Sequence, residues 1–199
     1  MFQGGTAGKF DGTYLVSPDV GTPEPLFEER RNRLRPTWSP DGNSIAFSYA
    51  PWLETAPRGI DVLNLGTHRV VQLPGSEGLL LADWSPDGRY IIARRGDHQA
   101  LMLFDFRTQT WTKLAKGELN WANWSRDGRY VYFERHGSEH GVMRVRVDDH
   151  AVEEVASLED IKRAGLNGGF WFGLTPDDSP LVLRDTGTQE IYALDWQGP

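Results

Sequence analysis

The chain has 199 residues, 39% of them hydrophobic and 12% aromatic, enough for one domain with a sizeable core. A formal net charge of −7, from 28 acidic and 21 basic residues, argues against nonspecific nucleic-acid binding and against docking on anionic lipid, which both need a basic surface. There is no cysteine, hence no disulfide framework and no thiolate metal site, and no apolar run near the roughly 18 residues of a membrane span.

The N-terminal "MFQGGTAGKFDGTYLV" lacks the basic start and apolar core of a signal peptide. As written, the chain is expected to be cytoplasmic, or a piece of something longer whose parent could be periplasmic. "DGTYLVSPD" (11–19) and "EPLFEE" (24–29) read as two strands. Arg30, Arg31, Arg33 and Arg35 form the one basic cluster, beside Glu28 and Glu29. In so acidic a chain it reads as a solvated loop leading into a strand, not as a nucleic-acid surface.

From there a phrase repeats. "TWSPDGNSIAF" (37–47), "DWSPDGRYII" (83–92) and "NWSRDGRYVYF" (123–133) place Trp38, Trp84 and Trp124 at intervals of 46 and 40 residues. A degraded copy, "LTPDDSPLVL" (174–183), has Leu174 in place of Trp and Asp178 in place of Gly. Each unit holds about four short strands, in the second "LLLADWS", "RYIIARR", "ALMLFDF" and "TWTKLA". Pro-Asp-Gly between strands has a mechanism: Pro presets φ, Asp bonds backbone amides, and Gly takes the left-handed angle of a tight hairpin. Four antiparallel strands every 40–50 residues fit a β-propeller blade, whose two faces are buried only when copies stack.

This predicts an all-β fold: a single propeller domain over 1–199, with a partial blade at 1–29 and blades at about 30–75, 76–117, 118–157 and 166–199. The repeat Trp should end each innermost strand and pack between blades, with the following apolar run in the same layer. "LEDIKRA" (158–164) permits one or two short helical turns between blades. "GFWFGLT", "PLVLRD" and "EIYALDW" give the last blade three strands and no fourth. The two strands near the N-terminus match the third and fourth of a blade. Either "EPLFEE" closes a small four-bladed ring or the chain is part of a larger propeller, and the spare strand favours the second.

"WSPDGRYI" resembles the repeat of the TolB-like and WD-repeat-like bacterial β-propellers over about residues 30–185, and "LRDTGTQEIYALDWQGP" (183–199) resembles the C-terminal end of propellers in multidomain bacterial signalling proteins. That likeness implies a sensor or interaction module with a protein or peptide partner; the acidic composition and the lack of an apolar run exclude direct nucleic-acid contact and membrane insertion by this chain, and open blade edges permit self-association. It implies no cofactor. The other classes weighed are a substrate-gating propeller of a peptidase or lyase, and an envelope protein like TolB. No Gly-x-Ser-x-Gly elbow occurs, so no catalytic residue is assigned.

Candidate sites remain few. Thr37, Asp83 and Asn123 precede the repeat Trp and form a polar set facing a central channel, a possible partner or ligand surface. Trp52, in "APWLETAPRG" with Pro51 and Pro57, sits on a longer insertion and is either a binding hot spot or packing over a blade edge. Asp41, Asp87, Asp127 and Asp177 recur once per unit and are assigned to turn capping, not to acid–base work. His136 and His140 in "HGSEH", with Glu139 beside them, invite a metal reading. It is set aside because a loop is not expected to bring both rings to one face as a helix would, leaving a polar hairpin tip and no metal ligand.

Overall fold

The computed structural model describes residues 2–6, 9–17, 19, 21–27, 33–49, 59–136, 140–166 and 169–187. Its first sheet comprises β1 (Phe2–Thr6), β2 (Lys9–Leu15) and β3 (Glu24–Pro25), in that order. Three four-stranded antiparallel sheets follow, each meandering from inner to outer strand. They are β4 (Arg33–Trp38) to β7 (Arg69–Gln72), through β5 (Ser44–Tyr49) and β6 (Asp61–Asn64); β8 (Leu79–Trp84), β9 (Tyr90–Arg95), β10 (Ala100–Asp105) and β11 (Thr110–Lys116); and β12 (Leu119–Trp124), β13 (Tyr130–Arg135), β14 (Gly141–Arg146) and β15 (Val152–Ser157). Two short pairs end the described chain: β16 (Gly165–Leu166) with β17 (Gly169–Phe170), and β18 (Phe172–Leu174) with β19 (Pro180–Val182).

The sheets stack because successive side chains of a strand point to opposite faces. Ile91 of β9 packs with Ala46, Ile60 and Phe104, between the first and second four-stranded sheets. Its neighbour Ile92 packs with Leu101, Val131, Phe133 and Val145, between the second and third. β13 repeats the pattern: Val131 and Phe133 face back, while Tyr132 faces Phe172, Leu174 and Val182 of the next unit. The second strand of each sheet is therefore buried on both faces, which accounts for the unbroken apolar runs "IAF", "IIA" and "VYF". The arrangement is a fan of β-propeller blades with one apolar layer between each pair.

Three expectations are corrected. β1 is a strand that sequence reading passed over, because "FQGGT" has neither alternation nor β-branched density. As the favoured reading expected, β3 pairs with β2 through Tyr14–Pro25 and Leu15–Glu24, so "EPLFEE" belongs to the N-terminal sheet at Glu24–Pro25, and the described sheets form an open arc. The 158–164 stretch forms no helical turn; Ile161 N donates to Leu158 O in a single tight turn, and Arg163 bridges to Arg184. "GFWFGLT" is split, with Gly169–Phe170 pairing back to Gly165–Leu166 and Phe172–Leu174 pairing forward. "EIYALDW" lies outside the described residues.

Each inner strand carries the same irregularity. The register slips between Leu34 and Thr37, between Leu80 and Asp83, and between Asn120 and Ala122. At each slip the residue three before the repeat Trp has a left-handed backbone: Arg35 (φ 41°), Leu81 (φ 58°) and Trp121 (φ 29°). A non-glycine residue held there costs about 1–3 kcal/mol and persists only where the surroundings impose it. The bulge turns the residues around the channel away from regular alternation, and one orphaned amide is met across blades by Leu81 N donating to Ser48 Oγ (3.2 Å).

Candidate functional site

The repeated phrase builds the same turn each time. Ser39, Ser85 and Ser125 donate through Oγ to Asp41, Asp87 and Asp127 (2.5, 2.6 and 2.7 Å), and each serine accepts from the backbone amide five residues on (2.9 Å in all three). Each aspartate also accepts an amide two residues on (3.0 Å). The three serines are buried, and sequence reading had given their role to Asp and Gly alone. These bonds lower the carboxyl pKa values. Asp41 is lowered chiefly by the Ser39 hydroxyl, and Asp127 by the Arg129 amide and then the Ser125 hydroxyl. For Asp87, burial pushes upward but Ser85 and the Arg89 amide prevail. In the fourth copy Thr175 bonds Asp177 and accepts from Ser179 N, and Asp178 takes the left-handed angle (φ 62°) that Gly42, Gly88 and Gly128 take in the others.

The indoles are less uniform than expected. Trp84 stacks on Phe106 (5.0 Å, 2°) and packs against the buried layer between the first and second four-stranded sheets, as does Val62 of the preceding blade. Trp124 lies over Tyr90 (6.4 Å) and donates its indole N–H to Asp83 O of the preceding blade (3.2 Å). Both are half-buried mortar between blades. Trp38 is 41% exposed, at a groove it lines together with Leu15, Val16 and Thr22.

Of the polar channel set, Asp83 and Asn123 are brought together by a residue assigned to the basic loop. Arg35 lies on inner strand β4 and reaches Asn123 Oδ1 (3.1 Å) and Asp83 Oδ2 (3.5 Å). Arg33 is buried, stacked over Phe27 at 3.6 Å. Arg33 is out of solvent and Arg35 only partly in it, because both lie on β4; Arg30 and Arg31 lie outside the described residues. Crowding by protein raises the Asp83 pKa, against the lowering effect of Arg35 and of the Trp84 amide. Thr37 stands apart from the pair and donates to Ala82 O (3.4 Å). Trp52 lies outside the described residues.

A cavity of about 490 Å³ opens between the third and fourth units, lined by Asp83, Trp84, Asn123, Trp124, Arg126 and Asp178 among others. Here the repeat changes in a paired way. In the earlier copies the proline of one blade abuts the glycine of the next: Pro40 lies beside Gly88, and Pro86 beside Gly128. The third copy has Arg126 where the proline was, and the fourth has Asp178 where the glycine was. Arg126, unlike proline, has a backbone N–H, and it donates to Asp178 Oδ1 (2.9 Å). The degraded copy is thus a matched substitution, one that places a cation and an anion at a pocket mouth between two tryptophans.

At the other end of the third blade lies a second cluster. Extending the β13–β14 register one step beyond Arg135–Gly141 sets His136 opposite His140. Their rings stack (5.1 Å, 25°), which overturns the expectation that this loop would hold them apart. The carboxylate between them is Glu134, buried on β13 and on the same strand face as His136; Glu139 lies outside the described residues. Arg163 Nη1 donates to Glu134 Oε1 (2.7 Å), and Arg163 Nη2 to Trp171 O (2.8 Å).

A fan of four-stranded meanders with a WSPDG-type turn at one end of each inner strand defines a section of a β-propeller. Neither a family model nor a curated protein matches the sequence. Solved structures do: TolB from Acinetobacter baumannii (20% identical, TM-score 0.63, covering 83% of this chain and 46% of that one). A putative TolB from Agrobacterium tumefaciens is 23% identical (TM-score 0.63; 84% and 61%), and an oligogalacturonate lyase in complex with manganese is 16% identical (TM-score 0.64; 84% and 49%). In fold the chain is a TolB-like β-propeller, spanning about half to three-fifths of the length of these structures.

Proposed function

We propose that this chain is a noncatalytic interaction or sensor module of a bacterial signalling protein, taking a protein or peptide segment into the pocket between its third and fourth units. The observation that carries this reading is the paired divergence of the repeat at Arg126 and Asp178, confined to the mouth of the 490 Å³ cavity. The exchange sets two charged side chains where the earlier copies have a Pro–Gly contact, in the lining of a pocket shared by two indoles. Two partly buried indoles flanked by opposite charges suit an extended segment with one apolar and one polar side chain. Support against an enzymatic role for this face is that its central carboxylate, Asp83, is already engaged by Arg35, not poised opposite a second acid or base. The same fold in a lyase keeps open the alternative of a propeller that serves a catalytic partner.

The test is to pan a random peptide display library against the chain, with Arg126→Glu as counter-screen. Enriched peptides should lose at least about tenfold in affinity on that substitution, about 1.4 kcal/mol. Failure to enrich any peptide, or peptides indifferent to Arg126→Glu, would overturn the reading.

A further inference from the structure

The far end of the third blade carries a group of side chains that the pocket does not use. Of the five histidines, His68, His98 and His150 occupy hairpin turns with left-handed backbones, at φ 54°, 63° and 59°. His136 and His140 do not. They face one another across the β13–β14 hairpin, over a carboxylate that is wholly buried. His140 Nε2 lies 3.0 Å from Glu134 Oε1, His136 Nε2 lies 3.8 Å from it, and one donor atom from each of the three residues falls within 4.8 Å of the others. Ligands around a tetrahedral zinc-class ion, at about 2.0–2.2 Å from it, sit about 3.4 Å apart. Shifts of less than about an ångström bring these three atoms to that spacing.

Two further features bear on what the cluster holds. Glu134 Oε2 is buried and has no hydrogen-bond partner among the described residues. A buried, orphaned carboxylate oxygen is costly and calls for a counter-charge. The surroundings are also those of outer ligand shells. Arg163 grips Oε1 and fixes the carboxylate plane. Arg94 donates to Asn120 Oδ1, which turns the Asn120 amide nitrogen toward His136 Nε2 at 3.1 Å. His136 Nε2 is then the acceptor, its lone pair held by that amide and its proton on Nδ1, the tautomer that ligates once the amide is displaced.

We propose that Glu134, His136 and His140 form a site for one divalent cation of the zinc class, with the fourth position open to water or to an oxygen-bearing ligand. Two imidazoles and one carboxylate prefer zinc and its first-row neighbours to calcium or magnesium. The cation displaces the Asn120 amide from His136 and the hydrogen bond between His140 and Oε1; a neutral His140 then carries its proton on Nδ1, and a histidinium gives up one proton to solvent. Arg163 keeps its hold on Glu134 throughout. The competing account is a metal-free ion-pair cluster in which Glu134 only neutralises Arg163 and a histidinium.

The experiment uses the full chain, stripped with chelator and titrated with Zn²⁺ by calorimetry, with Co²⁺ visible absorption as a second readout. One equivalent per chain is expected, with the intense d–d bands of a low-coordinate site. His136→Ala and His140→Ala should each weaken binding at least about 30-fold and the double variant should abolish it, while His98→Ala changes nothing. Both ligand histidines are partly exposed, at 21% and 26%, so the folded state should survive their loss. Should a variant unfold, the wild-type chain decides alone: a Zn²⁺-dependent rise in Tm together with the Co²⁺ bands supports the site. Absence of both, or binding that persists in the double variant, overturns it.

Discussion

The two ends of the third blade differ in kind. At one end Ser125, Asp127 and Gly128 reproduce, to within 0.2 Å in the serine–aspartate bond, what Ser39–Gly42 and Ser85–Gly88 build in the earlier blades. At the other, the second-to-third strand hairpin changes from blade to blade. In the second blade it is a short turn with Arg95 paired to Asp97, and in the third it is the His136–His140 pair over buried Glu134. The repeated turn is scaffold, so its serine and its aspartate should affect stability alike in the second and third blades. The divergent positions, Arg126, Asp178 and the histidine pair, should affect stability little and binding greatly.

The comparison is broken most easily at its base, the layer between blades. Phe104 is fully buried against Phe106 and Trp111 (ring centroids 5.0 and 5.1 Å). Phe104→Ala should cost about 3–5 kcal/mol in urea denaturation; an unchanged midpoint would mean the layer is not the core. The indoles rank next. Trp124→Ala removes half-buried packing and the bond to Asp83 O, and should cost about 2–3 kcal/mol, whereas Trp38→Ala should cost less than about 1 kcal/mol. Equal losses at the two positions would show that the groove beside Trp38 is filled in solution.

Smaller effects sharpen the claim that the copies are equivalent. Ser85→Ala and Ser125→Ala each remove a buried hydroxyl that bonds an exposed aspartate and leave one backbone amide unmet, and should each cost about 1–2 kcal/mol, matching within about 0.5 kcal/mol. The pH dependence is smaller still and has opposite signs at two aspartates. Asp127 has a folded pKa below its unfolded value, so its contribution is complete above the ordinary carboxylate range and is lost as pH falls through the folded value. Asp127→Asn should therefore flatten the acid limb of the stability profile. Asp83, raised by burial, is more stable protonated; its contribution is present below the ordinary carboxylate pKa and is lost as pH rises through the folded value. Asp83→Asn should remove that decline, and a steeper one would reverse the assignment.

The fan of blades was legible because three copies of one phrase fix both a turn and its period, and because runs such as "IIA" need two buried faces. What escaped did so for identifiable reasons. β1, "FQGGT", has neither alternation nor β-branched residues beyond Thr6 to mark it as a strand. Arg35 was taken with its neighbours as a charge run, although counting three back from the repeat Trp, as for Leu81 and Trp121, places it on the inner strand. The serine of the turn was visible in every copy but was overshadowed by the better-known Asp and Gly. The histidine pair was misjudged by applying helical spacing to a hairpin: across a three-residue loop, residues four apart are cross-strand partners, and the residue two before the first shares its face. That count leads to Glu134 from the sequence alone. The paired change at Arg126 and Asp178 needed the structure, since only stacking reveals that the proline of one blade meets the glycine of the next.

The account rests on divergence from the repeat marking binding and adherence to it marking scaffold. The most direct measurement restores the repeat at the pocket with the double variant Arg126→Pro, Asp178→Gly, and compares its affinity for a selected peptide with that of the unaltered chain. The account predicts a loss of at least about 30-fold, about 2 kcal/mol, with the unfolding midpoint unchanged. Affinity retained in the restored chain would contradict it.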